Sequence, residues 1–195
     1  MEWVTVPRVF GAVFSICWVV YFALFAKHLR GSRQARESDP ASLLGTVFQF
    51  AALGLLFWFR RETLAESLIL NIGGLVLAVL ALAMTRRALR QLGKHWSLGA
   101  RIGQQHQLVS QGIYQFVRHP LYLAFLLLTL GTGVAFSSPA GVLLALPVSL
   151  CGAGIRIAVE ERLLRQRFGK AYLDYASRVP SLFPRLGKGP RRRVR

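Results

Sequence analysis

Four stretches without a single charged side chain decide what this chain can become. Val9 to Ala26 lies between Arg8 and Lys27, Ala41 to Phe59 ends at Arg60, and Ser67 to Thr85 lies between Glu66 and Arg86. Each is long enough to cross roughly 30 Å of hydrocarbon as a helix. The fourth, Pro120 to Ile155, is too long for one crossing, and Gly131, Gly133, Ser137, Ser138 and Pro139 near its middle suit a break. The expected fold class is therefore all-α: a polytopic integral membrane protein with five transmembrane helices near residues 9–27, 41–59, 67–86, 120–136 and 140–168, forming one domain over 1–195.

The first stretch is longer than a signal-peptide core and ends in Lys27, His28 and Arg30, which predicts a retained helix. Charge then predicts orientation. Lys and Arg number 25 against 8 Asp and Glu, and they cluster at 27–36, at 86–118 and in the tail, whereas Arg8, Arg60 and Arg61 stand apart and Glu62 and Glu66 offset the last two. The positive-inside rule places the N-terminus outside and the C-terminus in the cytosol of a multi-pass cell-membrane protein. Reporter fusions at the two ends are expected on opposite sides, and same-side signals would overturn this topology. Basic residues beside hydrophobic spans set topology and contact anionic lipid headgroups, so membrane lipids are the expected partners and nucleic acid is not. Cys17 and Cys151 fall inside spans without metal-ligand spacing, so no metal site is expected. The sequence carries no signature of a particular oligomeric state.

Chemistry concentrates at both ends of the fourth stretch. The segment before it carries Trp96, Gln104, Gln105, His106, Gln107 and Tyr114 among glycines. Such residues can stack on a base and bond a ribose, or can simply form a headgroup-level connector with interfacial aromatics. Pro120 suits the first turn of a helix, with His119 at its N-cap. The free N–H groups there, with Arg118 alongside, attract an anion such as a ligand carboxylate; the plainer alternative has Arg118 reaching to headgroups. At the far end, Arg156 and Glu160 share a helix face, and Glu161 points about 100° away, where it can pair with Arg165 on the exposed side. Arg156 directly follows an apolar run with Gly152 and Gly154, and charges at such depth usually serve a purpose.

Three blocks in order carry a resemblance: His106-Gln107-Leu108-Val109-Ser110-Gln111-Gly112-Ile113-Tyr114, then Arg118-His119-Pro120-Leu121-Tyr122, then Glu160-Glu161 with Phe168-Gly169, Tyr172, Tyr175 and Val179-Pro180. From about Leu92 to Pro184 the chain resembles the isoprenylcysteine carboxyl methyltransferase family. The resemblance implies a membrane methyltransferase that uses S-adenosyl-L-methionine, releases S-adenosylhomocysteine, and methylates the carboxylate of a lipophilic or prenylated acceptor, with its active site at the cytosolic surface. By position, Trp96, Leu98, His106, Gln107, Leu108, Val109, Tyr114, His119, Pro120, Leu121, Tyr122 and Glu160 would bind the cofactor. Arg156 would face the acceptor, with Arg118 and Glu161 as further catalytic candidates and Gly152 and Gly154 beside the acceptor's opening. Two alternatives stand beside it. One is N-methylation of a phospholipid or other amine, for which Glu161 or His119 would serve as base; the other is a non-catalytic membrane protein whose polar loop binds a partner.

Overall fold

The computed structural model describes residues 5–29, 39–61, 68–93 and 108–185. These form α1 (Thr5–Leu29), α2 (Pro40–Trp58), α3 (Leu68–Leu92), α4 (Pro120–Phe136), α5 (Pro139–Phe168) and α6 (Lys170–Arg178), with a 3-10 turn at Gly112–Gln115. Five apolar helices thus occupy the expected places. Four are long and apolar enough to cross a membrane, while α4 has 17 residues.

Local signals start three of them. Pro40, Pro120 and Pro139 each open a helix at the position where a missing N–H costs nothing. Asp39 and Ser138 cap α2 and α5 by accepting from the amides of Ala41 at 2.9 Å and Gly141 at 3.2 Å. The break in the fourth stretch is narrower than expected. Gly131 and Gly133 lie inside α4, and only Ser137 and Ser138 are non-helical before Pro139. The turn is stitched to the end of α2, where Ser138 N donates to Phe59 O at 2.8 Å and Arg61 N donates to Phe136 O at 2.9 Å.

Helix α4 is apolar all round and mostly buried, as a central helix must be. Its neighbours approach through glycines. A Cβ on Gly74 of α3 would lie 2.5 Å from the carbonyl oxygen of Gly131, and one on Gly152 of α5 would lie 2.6 Å from that of Gly45 on α2. Backbones in such contact gain packing that larger residues would forbid, which matters where lipid offers no hydrophobic drive. Gly152 is therefore closed by α2 and does not border an opening, contrary to the expectation from sequence; Gly154 has open space beside it.

The outward faces carry exposed Ile16, Val19, Val47, Phe57, Trp58, Ile69, Val76 and Leu143. An apolar surface of this extent fits contact with lipid. Past Gly169, whose φ of 49° favours glycine and separates α5 from α6, Tyr172 and Tyr175 of α6 are buried and pack with Val179 against Leu164, Phe168 and Leu108.

Candidate active site

The polar residues from both ends of the α4–α5 hairpin meet in one network. His119 ends the segment before α4, with 4% of its side chain exposed, and it lies between two carboxylates. Its Nδ1 is 3.5 Å from Oε2 of Glu160 and its Nε2 is 3.4 Å from Oε1 of Glu161. Burial works against a charge on this ring, but the two glutamates outweigh it and raise its pKa above the usual histidine value. His119 is the N-cap of α4 as expected, although its side chain makes no capping bond.

Glu160 continues the network toward the bilayer. Its Oε1 accepts the hydroxyl proton of Tyr122, and the same phenolic oxygen accepts from Nε of Arg156 at 2.9 Å. The guanidinium also lies over the Tyr122 ring, 5.4 Å from its centroid, and donates through Nη1 to the hydroxyl of Thr46 on α2. Arg156, Tyr122 and Glu160 thus form one hydrogen-bonded row with a cation at its membrane end. Tyr114 is buried nearby, its carbonyl accepting from the Tyr175 hydroxyl at 2.6 Å, and burial followed by the negative charge of Glu160 raises its pKa.

Glu161 departs from expectation. It is 8% exposed and faces inward, because the residues around Arg118 and Ser181 cover the flank of α5 that a helical wheel assigns to solvent. Its Oε1 accepts from Arg118 at 2.6 Å and from the Ser181 hydroxyl at 3.3 Å. Its Oε2 accepts from Arg165 at 3.0 Å, so the pairing with Arg165 is present but reaches into the protein.

Arg118, expected to favour an incoming anion, is committed to the protein. Besides Glu161 it donates through Nη1 to the carbonyls of Ala176 at 2.8 Å and Val179 at 3.1 Å. The backbone repeats the link, since the amides of Arg118 and His119 donate to Pro180 O at 2.9 Å and Ser181 O at 3.0 Å. The residues after α6 are in this way tied across the entrance to α4.

Of the other positions, Pro120 is fully buried, Leu121 and Val109 are half-buried, and Leu108 packs on the α6 cluster. Trp96, Leu98, His106 and Gln107 lie outside the described residues. Thr46 and Ser181 join the network without having been singled out in the sequence. A lone threonine in an apolar span usually bonds its own helix, so Thr46 gave no signal.

Several known proteins are similar to this chain in sequence or in fold. The model of the phospholipid methyltransferase family matches residues 69–171. Protein-S-isoprenylcysteine O-methyltransferase B of Arabidopsis thaliana is 34% identical over 113 residues, covering 57% of this chain and 57% of its own length. The protein-S-isoprenylcysteine O-methyltransferase of Mus musculus is 31% identical over 132 residues, 66% of this chain and 45% of that one. The cobalt-zinc-cadmium resistance protein CzcN of Cupriavidus metallidurans is 36% identical over 110 residues, covering 55% of this chain and 50% of its own. The chain thus spans between 45% and 57% of the length of these three relatives. The solved structure of the eukaryotic intramembrane Ras methyltransferase ICMT superposes with a TM-score of 0.67 over 91% of this chain and 67% of that one, at 20% identity, so the fold is shared. The matched segment takes in α3, α4, α5 and the whole row from His119 to Glu161, and on that ground this chain belongs to the phospholipid methyltransferase family.

Proposed function

We propose that this protein is a cell-membrane methyltransferase that uses S-adenosyl-L-methionine to esterify the carboxylate of a lipophilic, isoprenylcysteine-like acceptor at the cytosolic face. One observation carries the reading: Arg156, a half-buried guanidinium, is fixed by Tyr122 in the same row as Glu160. A cation so placed suits an anionic acceptor, and the name of the Arabidopsis thaliana relative points to O-methylation of an isoprenylcysteine.

The donor set fits the cofactor. Glu160 keeps 28% of its side chain exposed beside a nearly closed His119, so its carboxylate is reachable by the amine or hydroxyl donors of such a molecule. When bound, S-adenosyl-L-methionine supplies a methyl group on a positively charged sulfur. Tyr114, His119, Tyr122 and Glu160 would hold it, with Val109 and Leu121 as the further wall; Trp96, Leu98, His106 and Gln107 are assigned to the cofactor by the family resemblance alone. Arg156 would grip the acceptor carboxylate, which is already ionised at neutral pH and needs no general base. Alignment is then most of the work, and proximity of this kind supplies roughly 7–11 kcal/mol.

The amine alternative needs a base, and neither candidate suits the part. Glu161 is held by Arg118, Arg165 and Ser181, and His119 has its pKa raised toward the protonated form. The experiment is turnover by the purified protein in detergent of radiolabelled S-adenosyl-L-methionine with a small prenylcysteine or with phosphatidylethanolamine. Base-labile product from the first supports the carboxylate reading, and label in the second only would overturn it. Within this scheme Glu160→Gln keeps size but removes charge, so affinity for S-adenosylhomocysteine by calorimetry is expected to fall about tenfold or more while the fold persists. Unchanged affinity would take Glu160 out of the cofactor site.

A further inference from the structure

Helix α2 lies outside the family-matched segment 69–171, yet it makes two adjacent contacts with the side chain of Arg156. At Gly45 there is no side chain, and a Cβ there would sit 2.6 Å from Cγ of Arg156. The stem of the arginine therefore passes against the α2 backbone where only glycine leaves room. At the next residue the Thr46 hydroxyl accepts from Nη1 of Arg156 and donates its own proton to the carbonyl of Ser42 at 3.1 Å. The direction of these bonds is consistent: the carbonyl takes the hydroxyl proton, which turns a lone pair of the oxygen to the guanidinium.

A long arginine has many rotamers, and a single anchor at Nε would leave its plane free to turn. Tyr122 on α4 holds Nε and Thr46 on α2 holds Nη1, which fixes the plane from two helices. Fork recognition of a carboxylate depends on that plane. We infer that Thr46 is a positioning residue for the methyl acceptor, setting the orientation in which Arg156 presents its guanidinium to the acceptor's carboxylate. The inference rests on the carboxylate reading above. It gives α2, through Gly45 and Thr46, a part in acceptor selection that is separate from cofactor binding.

The test compares Thr46→Val, which keeps the branched shape and removes the hydroxyl, with Thr46→Ser, which keeps the hydroxyl and removes a methyl. Steady-state methylation of a small N-acylated prenylcysteine and calorimetric binding of S-adenosylhomocysteine are measured on the same purified proteins. Thr46→Val is expected to lower kcat/KM for the acceptor about tenfold, the size usual for one hydrogen bond to a charged group, with cofactor affinity unchanged. Thr46→Ser is expected to stay within about twofold of the parent, since the bond survives. In the double variant Thr46→Val/Arg156→Lys the loss should not exceed that of Arg156→Lys alone, because both changes act on one group. Full activity of Thr46→Val, equal loss of cofactor affinity, or a Thr46→Ser variant as poor as Thr46→Val would each overturn the assignment. A parent protein that binds cofactor but methylates no carboxylate acceptor would overturn the carboxylate reading and this role together, whereas an active parent with an unaffected Thr46→Val overturns this role alone.

Discussion

Replacing Glu161 by leucine is expected to cost roughly 3–5 kcal/mol of stability, the size seen when one partner of a buried ion pair is removed. The carboxylate accepts from Arg118, Arg165 and Ser181 and lies against His119, while Arg118 is only 13% exposed and loses its counter-charge in the variant. An uncompensated guanidinium in that position is costly, whereas removing both charges is not. The paired variant Glu161→Leu/Arg118→Met should therefore recover a large part of the loss. Arg118 also donates to the carbonyls of Ala176 and Val179, so the single variant should loosen α6 as well as lower the midpoint. Thermal unfolding in detergent and limited proteolysis beyond Phe168 measure the two effects. A Glu161→Leu protein as stable as the parent, with α6 equally protected, would mean that the ion cluster does not hold this end together.

The same cluster shows which parts of the site were legible in the sequence. The hairpin was, because its signals are local: an uncharged run, His119-Pro120 at its start and a group of breakers ending at Pro139 near its middle gave expected helices at 120–136 and 140–168, against Pro120–Phe136 and Pro139–Phe168 observed. Helix α3 continues to Leu92 where an end near 86 was expected, since Arg86, Arg87 and Arg90 end the apolar run without ending the helix. The shared face of Arg156 and Glu160 also followed from spacing, and both meet at Tyr122.

The surroundings of Glu161 did not follow. A helical repeat fixes the angle between Glu160 and Glu161 but not which of two faces is covered. Here both are, one by Tyr122 and the other by Arg118 and Ser181. Arg118 misled for a similar reason, because besides Glu161 its partners are backbone carbonyls 58 and 61 residues away that no side-chain pattern reveals. Thr46 sits 110 residues from Arg156, and its part depends on how closely α2 approaches α5 at Gly45 and Gly152.

Substituting Arg156 by lysine is expected to reduce methyl transfer by about a hundredfold while leaving affinity for S-adenosylhomocysteine within about twofold, since a fork that grips two oxygens is replaced by a point charge. The geometry sharpens this expectation. Arginine reaches Tyr122 through Nε and Thr46 through Nη1, so the plane of its guanidinium is set by two helices. A lysine ammonium has one nitrogen for all these tasks, and satisfying Tyr122 or Thr46 draws it away from an acceptor. If Arg156 served only to carry a positive charge toward lipid headgroups, lysine would do as well, because either side chain can extend along apolar surface to water. Turnover of a small prenylcysteine and calorimetric cofactor binding, measured on one preparation, separate these cases. Full turnover would remove Arg156 from the acceptor site. Matched losses of turnover and cofactor affinity would instead place the guanidinium on the cofactor, through the Tyr122 hydroxyl that it shares with Glu160.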